Sequence, residues 1–188
     1  MKVGQCFSYS LFMFIVVVGW SCQSPADSTA ELQSVNTFFD LVSFFDQEIS
    51  QLNQQQPKLK KTVIVNGAIE EQELNSVDYQ KELSLFKEIN INKPALINKY
   101  STDSSLVGTQ LQQLTYQALD ESLNIKRIAI FFQDDRVQRV DVEKSTTNMF
   151  AKTGQQLTYE IQKGYQINSE QDLVVGTPST ISVKVDFL

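Results

Sequence analysis

The chain contains no histidine. That excludes Ser-His-Asp and Cys-His nucleophilic catalysis, and with it the common His-containing zinc sites. Cysteine is nearly absent too: Cys6 and Cys22 are the only two in 188 residues. No disulfide can therefore staple the chain beyond residue 22. Glycine and proline are scarce, at seven and four. They form no Gly-rich phosphate loop, no Gly-x-Ser-x-Gly elbow and no long flexible linker. Positive charge is in deficit: 16 Lys and Arg stand against 22 Asp and Glu, a net charge of −6. The overall field of such a chain does not draw it to nucleic acid or to anionic lipid. Lys58, Lys60 and Lys61 form the one basic cluster. It reads as solubilising charge or as the guard of an edge strand.

What is present begins with an address. Lys2 precedes an apolar run from Leu11 to Trp20. That run is about half the ~20 residues needed to cross a bilayer, so it reads as the core of a signal peptide rather than a spanning helix. It ends in Gly19-Trp20-Ser21-Cys22. The order resembles the bacterial lipoprotein signal, in which small residues precede a cysteine that becomes the lipidated first residue. Where such signals carry a Leu-like residue three before the cysteine, this chain has Gly19. A plain secretory signal with an incidental Cys22 is the alternative. The expected organisation is a signal peptide over 1–21, a polar tether over 22–27 led by the lipidation site Cys22, and one domain over 28–188. Cleavage before Cys22 leaves 167 residues at a net charge of −7, because Lys2 is the only charged residue lost. Two or more acyl chains on one cysteine would anchor the chain stably.

Ser28 and Glu31 form a capping-box pair. Apolar residues then recur at spacings of three and four, from Leu32 through Phe38, Val42, Phe45 and Ile49 to Leu52. The spacing predicts a helix over 28–54, ended by Pro57. Phe38, Phe39, Phe44 and Phe45 read as core rather than as a surface for apolar cargo. Lys60–Asn66 reads as a strand, Asn66-Gly67 as a hairpin turn and 68–74 as its return. A second helix is expected over 77–90, capped by Ser76, with Tyr79, Leu83 and Phe86 on one face. Residues 94–108 read as irregular with a short extended piece.

From residue 109 strands dominate. Residues 109–119 fit either a helix or a strand, with strand preferred. Leu123 to Gln133 changes apolar phase, which predicts a bulge near Lys126-Arg127. Asp134-Asp135 is a tight turn, and Val140 and Val142 face inward on the return. Leu157-x-Tyr159-x-Ile161, then Tyr165 and Ile167, then Ile181 to Phe187 continue the alternation. The sum is an α+β fold: a curved antiparallel β-sheet, a meander, packed against a long N-terminal helix plus a second helix.

Chemistry is thin. Without histidine, a hydrolase would need paired carboxylates across a cleft. Glu70, Glu71, Glu73, Asp134, Asp135, Asp141 and Glu143 are available. Each has a plainer reading, as solvated charge, turn residue or wet strand face. Asp120, Asp134 and Asp135 offer oxygen to a hard cation, but no calcium-loop spacing surrounds them. No catalytic residue, cofactor or metal is assigned. Glutamine is abundant, at twenty of residues 22–188. Gln110, Gln112, Gln113 and Gln117 read as an exposed face able to hydrogen-bond a glycan or a peptide strand.

Short motifs extend the reading. They are Val65-Asn66-Gly67, Lys81-Glu82-Leu83, Ile91-Asn92-Lys93-Pro94-Ala95, Ile125-Lys126-Arg127-Ile128, Leu157-Thr158-Tyr159 and Gly164-Tyr165. In this order they resemble an uncharacterised family of hypothetical lipoproteins of Gram-negative bacteria. The resemblance implies an exported, envelope-anchored location, at the outer membrane, and a β-rich C-terminal half. It implies no activity, and no functional residue is carried over. The expected function is that of a non-enzymatic binding or structural lipoprotein of the cell envelope, with a protein or glycan partner. One alternative is a periplasmic carrier of lipid or lipoprotein, which requires an apolar cavity between sheet and helix. The other is a carboxylate-dependent hydrolase, which requires two facing acids.

Overall fold

The structure, a computed structural model, describes residues 37–188. The expected signal peptide, Cys22, the tether and the Ser28 cap lie outside the described residues.

A helix α1 (Leu41–Gln55) precedes a hairpin of β1 (Leu59–Val65) and β2 (Ala68–Leu74). Two single helical turns follow, α2 (Tyr79–Glu82) and α3 (Ser84–Lys87), then a 3-10 turn at Pro94–Leu96. Seven strands complete the chain: β3 (Tyr100–Val107), β4 (Gln110–Ala118), β5 (Ile125–Gln133), β6 (Arg136–Thr147), β7 (Ala151–Glu160), β8 (Gly164–Leu173) and β9 (Ser179–Phe187). All nine strands join one open antiparallel sheet in the order β2-β1-β9-β8-β7-β6-β5-β4-β3. From β3 to β9 it is a pure meander. The first hairpin then adds to β9, so the last strand is interior.

Local chemistry explains the turns. Asn66 and Gly67 have φ of 49° and 89°, and Asp134 and Asp135 have 51° and 58°. Both pairs suit the left-handed backbone that a two-residue hairpin needs. The register slips between Ile125 and Arg127, so Lys126 is the bulged residue. This lets Ile125 and Ile128 share the inner face despite their odd spacing. Within 109–119, Gln110–Ala118 is strand, as preferred.

Three expectations need correction. The first helix does not run through 37–40; it starts at Leu41. Asp40 accepts a hydrogen bond from Ser43 N at 3.0 Å and so caps α1. Phe38 and Phe39 are held in a non-helical segment by side chains. Phe38 N donates to Asn92 Oδ1 (2.9 Å) and Phe39 N donates to Tyr116 Oη (2.8 Å). A capped start has no need to extend further back. The second helix is two turns broken at Leu83, which sits at φ −99° and ψ 11°. Ser84 Oγ donates to Lys81 O at 2.8 Å and competes with the helical ladder. Tyr79, Leu83 and Phe86 are buried as expected. Finally, 100–107 is a full strand. Its sequence, YSTDSSLV, lacks alternation because the strand is an edge exposed on both faces beyond Tyr100.

The helices lie on one face of the sheet. Phe45 and Phe86 pack on Tyr159 with ring centroids 5.3 and 5.9 Å apart, and Tyr79 meets Phe187 at 6.4 Å. Beneath them runs a row of opposed residues, Val185, Tyr165, Tyr159, Val140 and Ile130, from adjacent strands. All five are buried. Among the described residues the other face carries no helix.

Candidate functional site

One buried and one half-buried polar group sit in the helix–sheet interface. Glu48 projects from the apolar stripe of α1 and is 8% exposed. It accepts a hydrogen bond from Tyr159 Oη at 2.7 Å. Burial raises the Glu48 pKa above the ordinary carboxylate value, and the Tyr159 bond opposes that rise. Burial and the neighbouring Glu48 push the Tyr159 hydroxyl up as well. The second group joins the hairpin to α2. Lys61 Nζ donates to Glu82 Oε2 at 2.9 Å, and Tyr165 Oη donates to the same oxygen. Burial and Glu82 both raise the Tyr165 pKa.

Glu48 borders two clefts, of about 280 Å³ and about 540 Å³. Gln51, Ile161 and Gln162 line both; the larger one adds Arg136 and Gln138. Neither cleft holds a second acidic side chain. A carboxylate-pair mechanism therefore finds one raised-pKa acid here and no partner for it. Between α1 and the sheet, Phe45, Phe86 and Tyr159 fill the space ring against ring. The clefts that border α1 mix Glu48, Gln51, Gln162 and Arg136 with Phe44, Leu52, Ile161 and Phe187.

The acids singled out from the sequence are dispersed. Glu70, Glu71 and Glu73 lie exposed along the edge strand β2. Asp134 and Asp135 form the β5–β6 turn. Asp120 is an exposed turn residue whose carboxylate accepts from Ser122 N, which lowers its pKa. Asp141 and Glu143 stand on the helix-free face of β6. No group of three or more Cys, Asp or Glu fit to hold a metal occurs among the described residues. The lysine cluster also divides. Lys60 pairs with Glu71 (3.1 Å), while Lys61 turns inward to Glu82. Because β1 is interior, Lys60 and Lys61 guard no edge. The acids of β2 do that.

The helix-free face is an organised polar surface. Its central rows, read across β9, β8, β7 and β6, are Lys184, Gln166, Thr158 and Asp141, then Ser182, Asn168, Gln156 and Glu143. Gln166 Nε2 and Ser182 Oγ both donate to Asn168 Oδ1, at 3.1 and 2.7 Å. Four acids of this face are each met by a cation: Asp141 by Arg139 (3.2 Å), Glu143 by Arg127 (3.4 Å), Glu160 by Lys163 (2.7 Å) and Asp186 by Lys184 (2.7 Å). Shallow depressions of about 240 and 230 Å³ open beside Gly164 and Gly154, where side chains are missing. Gln113 and Gln117 of β4 belong to the same face, opposite Phe131 and Arg127.

Glu48 escaped the sequence reading, although a signal for it exists. It lies seven residues after Leu41 and four before Leu52, in phase with Phe45. A polar residue in that phase must be buried with a partner.

Replacing Glu48 tests the pair. A carboxyl whose folded pKa is raised favours folding only below its unfolded pKa; that contribution is lost as pH rises through the folded value. Glu48→Gln keeps an acceptor for Tyr159 but removes the charge. It should be more stable than the native chain at pH 8 by on the order of 1 kcal/mol, with the gain vanishing near pH 4. Urea midpoints at the two pH values decide it. An equal difference at both would mean that Glu48 ionisation is not coupled to folding.

Searches with this chain match no family model, no curated protein and no solved structure.

Proposed function

We propose that the chain is a lipid-anchored, non-enzymatic binding protein of the cell envelope, exported and held at the outer membrane through Cys22. Its helix-free sheet face takes a neutral glycan polymer. One observation carries the reading: among the described residues no helix covers a face many strands wide, and that face is dressed with amides, hydroxyls and internally paired charges. Such a surface offers donors and acceptors in rows about 4.8 Å apart, the spacing of strands. Its central acids each face a cation within the face, with Arg139 Nε and Asp141 Oδ1 alone left without a hydrogen-bond partner among the buried side-chain atoms described, so it favours a hydrogen-bonding partner over a charged one. An acid facing a cation, rather than a second acid, supports binding over hydrolysis.

The anchor is read from Gly19-Trp20-Ser21-Cys22. Intact mass of the protein extracted from native membranes tests it: a chain beginning at Cys22 plus acyl mass is the expected result. Cys22→Ser should fold normally and appear in the soluble fraction, because no cysteine lies among the described residues. A variant still membrane-bound would overturn lipidation as the sole attachment. For the ligand, the native chain should co-sediment with insoluble envelope polysaccharide. The Gln166→Ala, Asn168→Ala, Ser182→Ala triple variant should bind at least tenfold more weakly. Equal binding by both, or release of new reducing ends, would count against this reading.

A further inference from the structure

Most of the large apolar side chains that the described residues leave bare gather at one end of the sheet. The β1–β2 turn, the 148–150 turn from β6 to β7 and the 174–178 loop from β8 to β9 lie at that same end of neighbouring strands. Met149 is 77% exposed, Phe150 71%, Val174 73% and Val175 87%. Val65 and Ile181, opposed across β1 and β9, extend the apolar rim along the strand ends. At the opposite end the β3–β4 turn exposes Leu106 and Val107, and Leu188 ends the chain. Isolated exposed apolar residues need no explanation, but a contiguous set of this kind does.

The tips are built and uncharged. Asn148 Oδ1 accepts from Phe150 N (2.8 Å) and Ala151 N (2.9 Å), which fixes the turn. Val174 N donates to Phe150 O at 2.9 Å, tying the loop to the turn. No charged residue occurs in 146–151 or in 173–183, within a chain that is one-fifth charged. Uncharged and tied by these bonds, the tips expose Met149, Phe150, Val174 and Val175.

We infer that this end of the sheet enters the interfacial region of a lipid bilayer, with Phe150 and Val175 foremost. An apolar, uncharged protrusion gains free energy there in proportion to the area it removes from water. The length of chain ahead of the described residues permits it. Residues 23–36 can span roughly 46–50 Å, and a ten-residue strand such as β7 is about 33 Å long. A chain held at Cys22 can therefore turn its loop end to the same membrane. The inference rests on the anchored reading only for having a membrane at hand.

The test removes the anchor so that the two can fail separately. In the full chain carrying Trp20→Phe and Cys22→Ser, Phe150→Trp supplies the only tryptophan. With phosphatidylcholine–phosphatidylethanolamine vesicles, its emission should shift to the blue and be quenched by brominated acyl chains. Leu106→Trp in the same background, at the opposite end, should do neither. Adding Met149→Asp and Val175→Asp to the Phe150→Trp chain should cut the quenching of that tryptophan at least tenfold while circular dichroism stays unchanged. An unquenched tryptophan at position 150, or equal quenching at position 106, would overturn the proposal. So would a blue shift that grows with protein concentration without lipid. Absence of acyl mass on the native protein would overturn the anchor and leave this result standing.

Discussion

Phe45→Ala should cost about 3–5 kcal/mol. Phe45 is fully buried on the sheet side of α1. Its ring meets Phe44 at 5.0 Å, Phe86 at 5.3 Å and Tyr159 at 5.3 Å. It therefore links the first helix, the α2–α3 segment and the centre of the sheet. Truncation removes transfer free energy and leaves a cavity whose walls are other rings. Those walls cannot collapse easily, because Tyr159 is pinned by its bond to Glu48 and Phe86 by its contacts with Tyr165. For a domain of this size the loss corresponds to a fall in melting temperature of about 10 °C. Urea unfolding with unchanged m-value is the measurement. Phe44→Ala serves as the internal comparison, since Phe44 is only partly buried and should cost less. A Phe45→Ala cost below about 1 kcal/mol would mean that α1 does not clamp the sheet.

Helices supply few residues here, yet the core depends on them. An open antiparallel sheet has two faces and must bury at least one. Without a disulfide past residue 22, the described part relies on the aromatic contacts between α1, α3 and the sheet. The interface also contains polar links, two across the layers, Glu48 with Tyr159 and Lys61 with Glu82, and one within the helical layer, Lys87 with Asp46 at 2.6 Å. The first of these is the costly one, because Glu48 has no cation beside it. It is a place where the sequence trades stability for position.

The legible parts of the fold were those where one residue type has one physical use. Asn66-Gly67 and Asp134-Asp135 mark left-handed turns, and the phase change at Lys126 marks a bulge. Val140 and Val142 alternate with charge and are buried. Strands with no buried face left no such trace. In β3, Ser101, Asp103 and Ser105 look outward on one side, and Thr102, Ser104 and Leu106 are equally exposed on the other. Propensity and pattern were both silent there, and only pairing with β4 makes it a strand. The start of α1 was misread for another reason. Phe38 and Phe39 continue the helical spacing, but the bonds that fix them come from Asn92 and Tyr116, far along the chain. No local pattern encodes them. The sites divide similarly. Exposed acids were visible as acids and are dispersed in space. The polar face emerges only once registers place Gln166, Asn168 and Ser182 side by side.

Gly164→Ala should be the most disruptive single-methyl change in the sheet, at about 3 kcal/mol or more. Gly164 opens β8 between Glu160 of β7 and Asp186 of β9. Its φ of +140° is a conformation that residues with a side chain avoid. A Cβ built there would lie 1.9 Å from Val185 O and 2.9 Å from Val185 C. Both obstacles are backbone, so no rotamer change relieves them. β9 cannot step aside either, because β1 holds it on the far side through seven register pairs from Leu59 to Val65. The strands must part or β8 must turn, and a turn would carry Tyr165 away from Glu82 and Phe86. Gly154 is the matched control. It lies on the same helix-free face, has no positive φ, and its added Cβ would meet nothing within 4 Å. Gly154→Ala should therefore be neutral or stabilising by a few tenths of a kcal/mol, through the unfolded chain. Urea midpoints of the two variants measure the contrast. Equal midpoints would contradict the close approach of β8 to β9. A large loss at 164 alone would show that the depression beside it exists because the backbone permits only glycine there.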